Sequence, residues 1–460
     1  VVRPFDKPPQ TGLPATSSSE HDDDDTTQNN GGSASIPNLV TSLVKSIVGA
    51  GVLALPASIA GMAETGQASA SLLFPAALVV LLMGGINAYF FGLIGRVCSM
   101  TRATSFQDAW DKTVGAEDGG STPRNVSVVA VIITLKTVLS CLAFSIILAD
   151  SFQSIAIASG LQETTRGQAL FSVTGLLLLP LCTLIKDLNT LAPFSFLGLV
   201  GVGTTIVSMI VRCIDGSYGS GGAFASPTTI SLAPSSFPIL NFNAFGALVL
   251  ACTLATAFVA HYNAPRFHVE LENNTVERFD KVVGWSYMIS GIMFMIVAAA
   301  GFLTFGSASS GFILNSYSPF DPLITISRVA LAFSIALTYP LPFFGLRDGA
   351  LDLLQIPQEK RSGNVTTLLS VGMLSGVTVA AYFVRDLALV LSVGGGSFST
   401  IISAVFPTLM FRAAIQQRKS DSKAVSERDA LDSKLSLGLM CISSLIGTTG
   451  VAIALLNAIK

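Results

Sequence analysis

Two stretches of this chain interrupt apolar runs with residues that free backbone groups for binding. The first covers residues 36–60, IPNLVTSLVKSIVGAGVLALPASIA, where Gly49-Ala50-Gly51 and then Pro56 fall at mid-run. In a helix interior Gly is poorer than Ala by about 1 kcal/mol and Pro by about 3 kcal/mol. Both together predict a helix that is broken. Broken backbone at membrane depth survives only where protein buries it or it lines a cavity. There the N–H groups that open a half-helix suit a carboxylate, and freed carbonyls suit an ammonium or a cation. Small residues also let helices approach closely, so the residues alone leave a packing groove open as the second role. The other stretch is residues 248–271, LVLACTLATAFVAHYNAPRFHVEL, which turns polar at His261-Tyr262-Asn263 and then meets Pro265. Two interrupted spans in equivalent positions of two halves point to a transporter's binding site.

Ionisable residues inside apolar runs are costly and functional by default. Lys45, Lys136 and Arg328 are the basic ones. Lys45 lies just before the first break and either serves that site or snorkels to the interface. Lys136 requires a partner or a wet cavity. Arg328 is expected to pair with Asp150 or Asp321, or to reach the surface. His261, beside the second break, is either a proton carrier near neutral pH or a structural donor.

These residues need helices to hold them, and the composition supplies membrane helices. The chain has 460 residues, 50% hydrophobic and 12% charged, about half the charge of a typical soluble chain. A soluble enzyme and a wholly disordered chain are both excluded. A net charge of −2 gives no basic field for nucleic acid. Residues 1–35, with the run Asp22 to Asp25, bury too little to fold and read as a disordered acidic cytoplasmic tail. Residues 36–460 form the transmembrane domain. Within it, apolar segments of spanning length recur at 36–60, 70–97, 126–149, 168–185, 190–212, 244–263, 282–304, 322–345, 365–383, 387–411 and 435–457. The expected fold class is therefore all-α, an integral membrane protein of about eleven helices in contact with lipid. Nineteen of the 26 Lys and Arg residues fall on the side of the N-terminus, four on the other and three within spans. This bias puts the N-terminus in the cytoplasm. The six cysteines show no CxxC, and no metal site, cofactor or hydrolase motif is expected.

The run SIPNLVTSLVKSIVGAGVLALPASIA resembles the first-helix signature of the amino acid/auxin permease family. Residues 179–198, 257–283, 328–340 and 392–411 resemble further motifs of that family in register. The resemblance implies a five-plus-five inverted repeat of the bacterial leucine transporter type, with one peripheral helix added. It implies secondary-active transport of amino acids, neutral ones first, in the plasma membrane or a vacuolar membrane. By it, Gly49, Ala50 and Gly51 match the unwound stretch that holds the substrate's amino and carboxylate groups. Thr256, Ala257 and Phe258 lie near the matching break, with Phe258 either closing the pocket or packing the core. Ser140 and Cys141 share that depth. Sodium-coupled relatives have Asn where Lys45 stands, so its ammonium implies proton-coupled or sodium-independent transport. Ser334 and Thr338 keep sodium open as the coupling ion. An amino acid receptor without net flux and a permease for auxin-like carboxylates are the remaining alternatives.

Overall fold

The apolar runs fold into helices of membrane length. The computed structural model describes residues 32–63, 69–117, 128–184, 195–225, 242–356, 363–421 and 425–459. Among these, eight helical stretches are long and apolar enough to cross a bilayer, and nine if one bent pair counts as a span. The expected spans at 168–185 and 190–212 correspond to shorter helices. The residues of the expected tail up to 31 lie outside the described residues. Gly32 and Ala34 do not hang free: their N–H groups donate to the Val269 and Glu270 carbonyls at 3.0 Å.

The bent pair is α1 (Ile36–Ile47) with the segment Gly51–Ala60, inclined by 48°, the latter ending in α2 (Leu55–Ala60). Next come α3 (Leu73–Thr101) and α4 (Val128–Ala158). Then α5 (Arg166–Val173) and α6 (Leu179–Leu184) flank a widened turn, and α7 (Ser195–Ile214) follows. The second interrupted span gives α8 (Ala244–Ala257) and α9 (Ala264–Glu270). Beyond it lie α10 (Val276–Phe305), α11 (Pro322–Thr338), α12 (Pro340–Leu353) and α13 (Gly363–Phe383). The last are α14 (Leu387–Gly394), α15 (Phe406–Ser420) and α16 (Glu427–Ile459). Side chains cap the starts where the chain re-enters a helix: Thr165, Asn243, Thr275, Asp321 and Asp386 each accept from backbone N–H groups of the first turn. Such caps satisfy donors that the helix itself cannot.

Leu81 and Leu445 stay 72% and 68% exposed, as lipid-facing residues do. Inside, glycines let helices touch backbone to backbone. A Cβ at Gly395, in the widened turn after α14, would overlap the Cys252 carbonyl of α8. One at Gly246 would overlap the Gly61 carbonyl. The last helix, α16, faces outward along most of its length. Its Gly447 and Gly450 nevertheless press on Gly396 and Cys252.

We call the end that carries Ile36 the near end and the end that carries Ala60 the far end. Charges seal the far end. Arg212 donates to both carboxylate oxygens of Asp321, at 2.7 and 2.8 Å. Arg166 donates to Asp150, and Asn315 donates to the same carboxylate at 2.7 Å. Arg328 pairs with neither acid. It is 1% exposed and donates to the carbonyls of Leu314, Tyr317 and Ser318. Three carbonyl dipoles thus replace the expected carboxylate, and they fix the loop between α10 and α11 over the far end. At the near end, Arg96 pairs with Asp432, which ties α3 to α16.

Candidate functional site

The α1 helix stops where the sequence predicts. The Val48 N–H bonds back to the Val44 carbonyl, and both Val48 and Gly49 are extended. A tight turn, Ala50–Ala54, then leads into α2. Pro56 sits in the first turn of α2, where its missing N–H costs nothing. The second break follows Phe258, whose N–H caps α8 on the Leu254 carbonyl. Val259 and Ala260 are out of the helix, His261–Asn263 forms a single tight turn, and α9 resumes at Ala264.

The two breaks adjoin. A Cβ on Gly51 would stand 3.8 Å from the Ala257 Cα, an ordinary contact distance. Beyond the breaks, towards the far end, the half-helices are joined. Ser58 donates to Thr253 at 3.2 Å, and Thr253 shares a 2.9 Å hydrogen bond with Ser392. This hydroxyl chain links α2, α8 and α14. Thr256 donates to the Leu391 carbonyl at 2.7 Å, so its hydroxyl is engaged by α14. The sequence reading omits Ser58, Thr253 and Ser392, although each is a hydroxyl inside an apolar run.

Towards the near end the picture reverses. Asn38, Thr41, Ser42, Lys45 and Ser46 fall on one face of α1, while Leu39, Leu43, Val44 and Ile47 are buried on the other. All of that polar face is exposed except Lys45, which is half-buried. A polar stripe within a membrane bundle belongs to a wet path rather than to lipid. The stripe ends at Gly49, which is exposed and has nothing within 4 Å of a Cβ position. The break in α1 therefore lies at the head of a polar path from the near end.

The other predicted residues are distributed around this point. Phe258 is fully buried, its ring 4.7 Å from Phe294 and 5.8 Å from Tyr287, and it touches Gly84. Ser140 is half-buried and accepts from Lys136 at 3.1 Å, whereas Cys141 is fully buried. His261 is fully buried, and its Nε2 lies 3.0 Å from the Asn87 carbonyl; Nδ1 has no partner. Ser334 packs on Gly201 of α7, and Thr338 donates to the Ser334 carbonyl at 2.8 Å. Lys45 stands one turn before Gly49 on the stripe. Among the described residues no cluster of His, Cys, Asp and Glu could hold a metal ion.

Comparisons with known proteins bear on the family and the fold. The family model for transmembrane amino acid transporter proteins matches residues 32–455. A zebrafish (Danio rerio) protein named "Putative sodium-coupled neutral amino acid transporter 11" is 24% identical, covering 84% of this chain and 80% of its own. "Amino acid transporter AVT6E" of Arabidopsis thaliana is 23% identical over 91% of this chain and 83% of its own. "Vacuolar amino acid transporter 2" of Saccharomyces cerevisiae is 24% identical over 46% of this chain and 44% of its own. Among solved structures, the inward-facing conformation of Mhp1 superposes with a TM-score of 0.55 at 12% identity, covering 94% of this chain and 92% of that one. The fold is the inverted repeat of the leucine transporter type.

Proposed function

Since the chain belongs to the transmembrane amino acid transporter family, a family of transporters and not of enzymes, we propose that it carries neutral amino acids across a membrane by secondary-active, alternating-access transport. The observation that supports this reading is the adjoining pair of breaks, one of them opening on a polar path. Freed N–H groups near Gly49, Ala50 and Gly51 would hold the carboxylate, and freed carbonyls at both breaks the ammonium. Ser140, Thr256, Ala257 and Phe258 would border the same pocket. The near end would face the cytoplasm, in keeping with the bias of basic residues. An endomembrane is the favoured location, given the name of the yeast relative.

For coupling, we favour a proton or no ion over sodium. Lys45 brings its own positive charge to the stripe. Ser334 packs its Cβ on Gly201, and the Thr338 hydroxyl bonds back to its own helix, so Thr338 has another partner here. The name of the zebrafish relative supports sodium as the second reading. His261 is the other candidate proton carrier, through its unpartnered Nδ1.

Counterflow in proteoliposomes tests the proposal. Labelled neutral amino acids should accumulate against an internal unlabelled pool, at pH 5.5 and 7.5, with sodium or with choline. Counterflow that survives in choline supports the favoured coupling, and counterflow that stops there transfers the case to sodium. Binding without exchange would make the protein a receptor, and exchange of deaminated analogues alone a carboxylate permease.

A further inference from the structure

Lys136 is an intramembrane ammonium that no part of the reading above uses. It lies about two turns inside α4, and its Nζ meets two groups. It donates to Ser140 at 3.1 Å and stands 6.0 Å from the centre of the Tyr262 ring. Among the described residues no carboxylate lies within 4 Å of it. Arg328, by contrast, donates from both terminal nitrogens to three carbonyls, although its Nε has no partner. An ammonium held by one hydroxyl and one ring face is far short of its hydration in water.

Its position is set on two sides. Tyr262 belongs to the tight turn just past the second break. One turn along α4, Leu139 lies against Gly394, whose Cβ position is 3.8 Å from the Thr256 hydroxyl just before that break. Lys136, Leu139 and Ser140 share one helical face, so that face runs alongside the break from one side to the other. All three are half-buried, and Tyr262 is exposed. The charge therefore lies on a half-buried face beside the break.

We propose that Lys136 is a charge filter for the substrate side chain, admitting those that are neutral or end in a hydrogen-bond acceptor and rejecting those that end in a cation. This rests on the transport reading above. With the substrate's own ammonium and carboxylate held by backbone, its side chain is the part left to meet the wall. A second ammonium within about 6 Å, at the effective dielectric of a protein site, costs enough to lower affinity by tenfold or more. An amide or carboxylate oxygen at the same place accepts from Nζ instead. Norvaline, glutamine and ornithine have similar lengths and end in a methyl, an amide and an ammonium, so they isolate this effect.

The test is competition against counterflow of a labelled neutral amino acid. In the wild-type protein, ornithine should compete at least about tenfold less well than norvaline or glutamine. Lys136→Gln should narrow that gap severalfold and Lys136→Glu should invert it, while Lys136→Arg keeps it. The ratio between competitors is independent of the amount of protein, so reduced expression does not affect it. Equal competition by all three in the wild type overturns the filter even if no variant folds. An unchanged ratio in Lys136→Gln and Lys136→Glu also overturns it and makes the lysine a structural partner of Tyr262. A wild-type protein that exchanges no amino acid overturns the transport reading and the filter together, whereas exchange without charge discrimination overturns the filter alone.

Discussion

The two halves of the bundle hold most of their polar groups differently, although each has a buried ion pair, Arg96–Asp432 at the near end among them. At the far end Arg212, Asp321, Arg166 and Asp150 are paired, Arg328 caps a loop, and glycines bring backbones into contact. In the near half α1 leaves a polar stripe uncovered, Gly49 opens on free space and Lys136 has no carboxylate within 4 Å among the described residues. Satisfied charges hold helices together, because separating them would strand a charge in low dielectric. Under-satisfied groups have free energy left to gain from a ligand. On the proposed reading, closure belongs to one end and binding to the half-helices that approach the other.

Breaking the far end should have the largest effect. Asp321 is 0% exposed and depends on Arg212 for its two strongest hydrogen bonds; the Tyr218 hydroxyl adds a third at 3.0 Å. Arg212→Met leaves that carboxylate buried without its cation. The expected loss is about 3–5 kcal/mol, the usual result of removing one partner of a buried pair. Thermal unfolding of the detergent-solubilised protein measures it. A variant that melts with the wild type would show that the far end is not held by this pair.

The near half should respond to bulk rather than to charge. Gly49 has an extended φ of −119°, open to any L-residue, and free space around its Cβ position. Gly49→Leu should therefore fold with a stability change of no more than about 1 kcal/mol. Counterflow should fall tenfold or more as the side chain fills the head of the path, a loss of about 1.4 kcal/mol in transition-state terms. Melting and counterflow measured on one preparation separate the two effects. Normal counterflow would move the site away from this break.

The places where helices end were legible because the signals are local. Gly49, Gly51, Pro56 and Pro265 act within a turn of themselves, so both breaks could be placed before any contact was known. Hydropathy gave the helical runs in order, although eight to nine meet the full length of a span and eleven were expected. What was hidden depends on contacts across long separations. Ser58 and Thr253 are 195 residues apart, and Thr253 and Ser392 are 139 apart, with nothing in either neighbourhood to announce the pairing. Arg328 was matched to an acid because carboxylates are visible in a sequence, whereas carbonyls, present in every residue, are not. The direction of the Phe258 ring and the face of α4 that carries Lys136 needed packing in three dimensions.

Acid sharpens the comparison further, with a smaller effect. Burial pushes the Asp321 carboxyl up, but the Arg212 guanidinium, the Tyr218 hydroxyl and the Ile324 N–H outweigh it and hold the group below its ordinary 3.8. A carboxylate with a depressed folded pKa gives stability that is present above the unfolded value and lost only as pH falls through the folded one. The far-end pair should therefore keep its full contribution between pH 7 and pH 5. In Arg212→Met the sign reverses. With the cation gone, burial dominates and raises Asp321, so the ionised carboxylate is a penalty that protonation relieves. The stability gap between wild type and variant, read from their melting curves, should narrow on going from pH 7 to pH 5, by about 1.4 kcal/mol for each unit by which the variant's Asp321 lies above pH 5 within that window. Narrowing that comes from a falling wild-type melting temperature, with the variant's unchanged, would mean that the pair loses its charge in the wild type first, and that the far end is opened by acid rather than locked against it.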